Sequence, residues 1–279
     1  MNRGDPPVHE VYAIRYATVE RQASDNFLRR DGHDGVMPLD FFVWLIRGPG
    51  ADVLVDTGFS AASALARKRS FITHPADALR AMGVAPENVA HLVLTHLHYD
   101  HAGNTGDFTG ARIHLQDDEM RYATGRYMCH PGLSHFFAVE DVKTMVQHSF
   151  DGRTEFHDGD GSVLPGVTLH RIGGHTHGLQ VVRVFTARGW VVLASDAAHY
   201  YGNLEERNPF PAVLDLGEML EGYRLLDRLA DSREHIVPGH DPEVMRRYRR
   251  LDMEGVEAVA LHEPPSAPER DPAGQLSRA

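Results

Sequence analysis

Runs of β-branched and aromatic residues, separated by Gly, Asp and Pro, open the chain. Val8 to Ala17, Met37 to Arg47 and Ala51 to Asp56 have this character and predict three successive strands of one sheet. The Arg47-Gly-Pro-Gly-Ala51 turn predicts a hairpin between the last two. From Ser60 onward Ala, Leu and Arg recur at helical spacing, and Pro75 to Met82 predicts a short helix with Pro in its first turn. His91 to Thr95 and Ala111 to Leu115 are compact apolar strands. Helix-period apolar residues then occupy Gln116 to Gly125 and His135 to His148 around the loop Cys129-His-Pro-Gly132, predicting a helical insertion over about 116–150.

Strands return after Gly152, at Val167 to Ile172, Gln180 to Ala187 and Gly189 to Ser195. Leu216, Met219, Leu220, Tyr223, Leu226 and Leu229 form one face of an amphipathic helix over Asp215 to Ala230. A strand at His235 to Val237 and a short helix from Pro242 follow. Each half runs strands first and helices later, which predicts two stacked sheets with helices outside. Residues 1–262 are expected to form one domain, and 263–279, rich in Pro, Glu, Ser and Arg, a disordered tail. The strands Val53-Leu-Val-Asp56 and Val192-Leu-Ala-Ser-Asp196 both end in aspartate, a weak internal echo that draws attention to strand ends.

Composition narrows the chemistry. The 279 residues include 28 Lys and Arg against 39 Asp and Glu, a net charge of −11 that disfavours a broad grip on phosphate backbones, so no nucleic-acid partner is expected. No apolar run reaches the roughly 18 residues of a membrane span, and Met1 to Glu10 lacks the regions of a secretory signal, so the expected location is cytoplasmic, away from membranes. Cys129 is the only cysteine, so any metal must be held by nitrogen and oxygen. Histidine is abundant, at 19 residues.

Spacing turns that abundance into a site. The strand at His91 runs into Thr95-His-Leu-His-Tyr-Asp-His-Ala-Gly103, placing His96, His98, Asp100 and His101 within six residues, a ready set of ligands for zinc. His175, Asp196 and His240 each follow an apolar strand in the same way. Together these make seven ligands, enough for two metal ions.

These motifs resemble the metallo-β-lactamase-fold hydrolase superfamily, whose His-x-His-x-Asp-His signature the loop matches, and the resemblance runs from the first strand to about Leu261. It implies an α/β fold, an αββα sandwich of two stacked mixed β-sheets flanked by helices. It also implies that His96, His98 and His175 hold one divalent ion and Asp100, His101 and His240 the other, with Asp196 bridging both. Asp56, in Asp56-Thr-Gly58, is similar to a residue that orients the ligand loop. Zinc is the first expectation; manganese, iron and cobalt suit the same ligands.

Within the superfamily an aspartate at position 196 is unlike the true β-lactamases, and histidine at 98 is unlike the oxygen-reducing diiron branch. The entry Met37-Pro-Leu-Asp-Phe-Phe-Val-Trp-Leu-Ile46, the helical insertion and Val237-Pro-Gly-His-Asp241 are similar to the N-acyl-homoserine lactonases. Two positions depart from them: His199 stands where a tyrosine follows the bridging aspartate, and Gly174-His-Thr-His-Gly-Leu179 replaces a Gly-His-Thr-Pro-Gly-His turn. The function so implied is dinuclear metal-dependent opening of a lactone ester bond in a small-molecule substrate. Asp100 is then the proton carrier, and His199, or else Tyr200, a donor to the oxyanion. Met37, Phe41, Met128, Phe136 and Phe137 are candidates to line an acyl pocket, and the insertion to roof it or to form a homodimer surface. A thioesterase of glyoxalase II type, a phosphodiesterase and a metal-binding protein without turnover are the alternatives.

Overall fold

The computed structural model describes residues 4–30 and 34–266. Its strands are β1 (Glu10–Val19), β2 (Leu39–Arg47), β3 (Val53–Val55), β4 (Ser70–Phe71), β5 (His91–Val93), β6 (Arg112–Gln116), β7 (Thr154–His157), β8 (Gly161–Leu164), β9 (Val167–Arg171), β10 (Gln180–Thr186), β11 (Gly189–Ser195), β12 (Ile236–Pro238) and β13 (Glu257–Ala260). The helices are α1 (Ala61–Arg67), α2 (Pro75–Ala81), α3 (Tyr99–Ala102), α4 (Asp117–Ala123), α5 (Pro131–Ser134), α6 (Val139–Phe150), α7 (Tyr201–Glu205), α8 (Leu216–Leu229) and α9 (Glu243–Arg247).

One sheet has the order β13-β1-β2-β3-β5-β6-β7, with β4 paired to β1; the other runs β12-β11-β10-β9-β8. Both are mixed. The first is antiparallel through β3 and parallel from β3 to β7, and in the second only β11 and β12 are parallel. This is the αββα arrangement that the strand-then-helix order predicted.

Burial explains why β2 is apolar at nearly every position. Phe42, Trp44 and Ile46 pack between the sheets against Val167, Leu169, Val182 and Val184, while Phe41, Val43 and Leu45 pack beneath the helices. A strand covered on both faces loses the alternation of a half-exposed one. Met219, Tyr223 and Leu226 of α8 cover the outer face of the second sheet at Val181, Val192 and Ala194.

The departures are local. Cys129-His-Pro-Gly132 is not a plain loop: Pro131 sits at the first position of α5, where its missing N–H costs nothing. Strands β4, β7 and β8 carry too little apolar patterning to be read from sequence; β7, Thr-Glu-Phe-His, is a largely exposed edge. The proposed tail at 263–279 falls from 267 onward outside the described residues. Among the described residues no helix is long and apolar enough to cross a membrane.

A row of imidazoles crosses β5, β6 and β7. His91 Nδ1 lies 3.0 Å from His114 Nε2, and His114 Nδ1 lies 3.0 Å from His157 Nε2. Burial, reinforced by the flanking histidines, pushes His114 down to about 3. The unfolded chain therefore binds this proton at a higher pH than the folded one, and stability is lost as pH falls from about 6.5 toward 3. Denaturant midpoints across that range should fall with acidification, and His114→Gln should flatten the profile.

Candidate metal centre

Four strand ends deliver the predicted ligands to one edge of the sandwich. β5 leads through Thr95 to His96, His98 and α3, whose first turn carries Asp100 and His101. β9 leads to His175, β11 to Asp196 and β12 to His240. Parallel pairing of β11 with β12 sets Ser195 opposite Pro238, so Asp196 and His240 emerge side by side. Asp56 and Ser195 adopt left-handed backbone, φ 60° and 45°, at the points where β3 and β11 turn into the site. Such strain persists only where surrounding contacts enforce it.

Asp196 lies at the middle and is buried. Its Oδ2 is 3.2 Å from His175 Nε2, 3.1 Å from His199 Nε2 and 3.9 Å from His96 Nε2. Its Oδ1 is 3.0 Å from His240 Nε2 and 3.2 Å from His101 Nε2. His98 Nδ1 approaches His175 Nε2 at 2.9 Å. The donor atoms at this centre fall into three overlapping groups: His96, His98, His175 and Asp196; Asp100, His101 and His240; and Asp196, His199 and His240.

Hydrogen bonds fix which ring nitrogens face inward. His101 Nδ1 donates to Asp56 Oδ2 at 2.7 Å, His175 Nδ1 to the Ala212 carbonyl at 2.7 Å, and His240 Nδ1 to the Asp40 carbonyl at 2.7 Å. Each therefore turns Nε2 to the centre, the nitrogen that would face a metal once unprotonated. His96 Nδ1 is 3.1 Å from Thr95 Oγ1, which donates to Asp56 Oδ2 at 2.8 Å. Asp56 also accepts from the Thr95 amide, so one buried carboxylate orients both His96 and His101.

The fit to metal rests on what these groups otherwise lack. Among the described residues His96 Nε2 and His101 Nε2 are buried with no hydrogen-bond partner, a costly state for polar nitrogens. Two ligands of one tetrahedral ion, each about 2.0–2.1 Å from it, sit roughly 3.3 Å apart, close to the separations around Asp196. Burial and neighbouring imidazoles hold His96 and His98 well below the ordinary histidine range, hence neutral. Burial opposes charge on His101 too, yet Asp196, Asp56 and Asp100 raise it well above that range. Asp196, despite burial, is held well below the carboxylate range by His199, His240, His101 and His175.

The centre opens into a cavity of about 210 Å³ lined by His98, Asp100, His175, Asp196, His199 and His240 below and by Phe41, Phe136, Phe210, Arg21, Arg67 and Arg69 among the walls. His199 stacks on Phe210 with ring centroids 3.9 Å apart. Burial pushes its imidazole down to about 3 against the pull of Asp196, so it is neutral. Tyr200 does not fit the rim-donor role: its side chain is buried outside the cavity and its hydroxyl donates to the Pro38 carbonyl at 3.1 Å. Of the candidate pocket residues, Phe41 and Phe136 line the cavity; Met37, Met128 and Phe137 pack into the adjoining core, Phe137 edge-on to His98 at 4.7 Å. His135 and Phe136 bring the insertion to the cavity wall.

Several residues of the site carry no sequence signal. Glu119, fully buried on α4, accepts from the Leu97 amide at 2.9 Å through Oε1 and from the Gly178 amide at 3.1 Å through Oε2. It ties the loop of His96 and His98 to the loop of His175. Gly178 lets that approach occur, since a Cβ there would lie 2.1 Å from the Glu119 nitrogen. His177, in the altered turn, packs edge-on against Tyr122 at 5.2 Å and joins this turn to the insertion. Phe210 lies in Asn208-Pro-Phe-Pro211, where no periodicity marks it.

Comparison with known proteins agrees with this geometry. The family model described as the metallo-beta-lactamase superfamily matches residues 41–240. A probable metallo-hydrolase of Mycobacterium tuberculosis is 29% identical over 237 residues, covering 73% of this chain and 72% of the relative. The N-acyl homoserine lactonase AiiA of Bacillus thuringiensis subsp. kurstaki is 31% identical over 175 residues, 61% of this chain and 63% of the relative. The crystal structure of a quorum-quenching N-acyl homoserine lactone lactonase superposes with a TM-score of 0.71 at 26% identity, covering 86% of this chain and 95% of that one.

Glu119→Gln keeps the shape but supplies only one acceptor oxygen for two amides. It should cost about 1–3 kcal/mol in denaturant unfolding and weaken zinc about 10–100-fold in competition with a chromophoric chelator.

Proposed function

Because the chain belongs to the metallo-beta-lactamase superfamily, we propose that this metallo-hydrolase holds two divalent ions, zinc first, and opens the ester bond of a lactone. One observation carries the reading: Asp196 offers Oδ2 to the side of His96 and His175 and Oδ1 to the side of His101 and His240, the placement of a ligand shared by two ions. The lactone is favoured over other esters by the likeness to AiiA and to the solved lactonase. His96, His98, Asp196 and His175 would hold one ion, and Asp100, His101, His240 and Asp196 the other. When bound, such a pair acidifies a water near neutral pH and polarises the ester carbonyl.

The chain's own side chains supply the rest. Asp100 borders the cavity, with its carboxylate 3.8 Å from His101 Nε2 and its backbone carbonyl fixed by the Tyr16 hydroxyl at 2.8 Å. So anchored, it accepts the proton of the attacking water and returns it to the leaving alkoxide. His199 is neutral and held flat by Phe210, with its Nε2 3.1 Å from Asp196 Oδ2 beside the cavity; its N–H would serve the oxyanion formed on the substrate in place of that carboxylate. Phe41, Phe136 and Phe210 keep the reacting carbonyl in an apolar setting where these charges act strongly.

Elemental analysis should find two metal equivalents per chain in active protein; one or none ends the dinuclear reading. Asp196→Ala should lose metal and activity together. His199→Ala should retain metal and slow turnover about 100-fold; loss of metal in that variant would make His199 a ligand instead. Acyl-homoserine lactones, simple γ-lactones, aromatic lactones, thioesters and phosphodiesters assayed side by side decide the bond, and turnover confined to thioesters or phosphodiesters removes the lactone.

A further inference from the structure

The walls of the cavity hold an unbalanced charge. This chain has a net charge of −11, and many of its basic side chains sit beside acids three residues away, as in Arg80–Asp77, Arg121–Asp118, Lys143–Glu140, Arg224–Glu221 and Arg246–Glu243. Arg21, Arg67 and Arg69 all line the cavity, and none forms an ion pair with a carboxylate among the described residues. Arg67 is occupied otherwise: it lies 3.7 Å over the Tyr99 ring and donates to the carbonyls of His135 and Phe137.

Arg69 and Arg21 are different. Arg69 donates only through Nε, to the Tyr99 hydroxyl at 3.2 Å, and its guanidinium carbon lies 5.9 Å from the centre of Phe41. Both terminal nitrogens are free among the described residues. Arg21 donates through Nε to Asn26 and through Nη2 to the Asp25 carbonyl, lies 5.1 Å from the Phe210 ring, and has no partner for Nη1 among those residues. Phe41 touches His240 at 5.4 Å and Phe210 stacks on His199. Each guanidinium is thus one aromatic ring away from the metal-centre histidines, and the pairing of Thr18 with Ser70 brings the turn of Arg69 beside the chain that leads to Arg21. A half-buried guanidinium without a counter-charge, held in place, is a site for an anion, and a planar fork pairs bidentately with a carboxylate.

We propose that the substrate of this site carries a free carboxylate a few bonds from its scissile ester, received by Arg69 with Arg21 in support. The inference rests on the hydrolase reading above and narrows it to acidic lactones, setting this cavity apart from one made for a neutral acyl chain. Arg69 and Arg21 would bind and orient the substrate, taking no part in bond making.

The test uses the metal-loaded enzyme with a γ-lactone bearing a ring carboxylate and with its primary carboxamide. In the wild type kcat/KM should be higher for the carboxylate. Arg69→Gln should lower the carboxylate-to-carboxamide ratio at least about tenfold, mainly through KM, with partial recovery in Arg69→Lys and a smaller fall in Arg21→Gln. Equal kcat/KM for the two lactones in the wild type, or a ratio unchanged in Arg69→Gln, overturns the proposal. If neither lactone is opened, the lactone reading fails by itself and binding decides the carboxylate. Calorimetric titration with the ring-opened hydroxy-dicarboxylate and its monoamide then supports the proposal if the diacid binds tighter to wild type and loses that advantage in Arg69→Gln. Equal binding of the two overturns it.

Discussion

Five imidazole nitrogens lie within 3.9 Å of the Asp196 carboxylate, and all six side chains are nearly out of water. A buried carboxylate needs compensating positive charge close by. In the metal-free chain that charge can come only from protons, which is why His101 and His240 are raised while their neighbours are kept neutral. Metal ions satisfy the same demand with the imidazoles unprotonated, so binding releases protons and stabilises the edge of the sandwich where four strands end. The left-handed turns at Asp56 and Ser195, the close strand pairing before His240 and the carbonyls under His175 and His240 all serve to keep these groups together.

Much of this was legible because it is local. The ligand loop is contiguous, and Asp196 and His240 follow strands whose apolar character is plain. The orienting role of Asp56 was accessible only through resemblance, and the structure shows its physical basis in the bonds to Thr95 and His101. Glu119 was hidden by context: it is the third of Asp117, Asp118 and Glu119 in the first turn of a helix, where acids are ordinary complements to the helix dipole. Nothing in that run separates the one turned inward from the two on the surface. The arginines of the cavity come from the segment after β1 and from α1 and its following turn, and only tertiary folding brings them to one space. Tyr200 shows the converse, since being adjacent in sequence to His199 did not bring it to the cavity: the start of α7 turns it into the core.

The cavity combines two kinds of wall. Its floor belongs to the strand ends and is fixed by buried hydrogen bonds. Its sides come from β1, β2 and their connection, from α1 and the turn after it, from the insertion and from the Phe210 segment after α7, and include aromatic rings and guanidinium groups. Arg67 joins two of these parts by reaching from α1 to the carbonyls of His135 and Phe137. The candidate metal ligands and most of the wall residues therefore sit on different elements in contact, an arrangement in which the walls can vary while the floor stays constant.

The position of Glu119 sets a limit on that variation. It lies on the first helix of the segment that supplies part of the wall, yet its carboxylate holds the two ligand loops together. An engineer transplanting the whole of 116–150 from another scaffold would import a new wall and discard this tether at once, and the chimera would fail for a reason unrelated to substrate fit. A splice placed after Ala123 leaves α4 with its host and exchanges only 124–150, which carry His135 and Phe136. The modular boundary of this protein thus runs through the insertion, between its first helix and the rest.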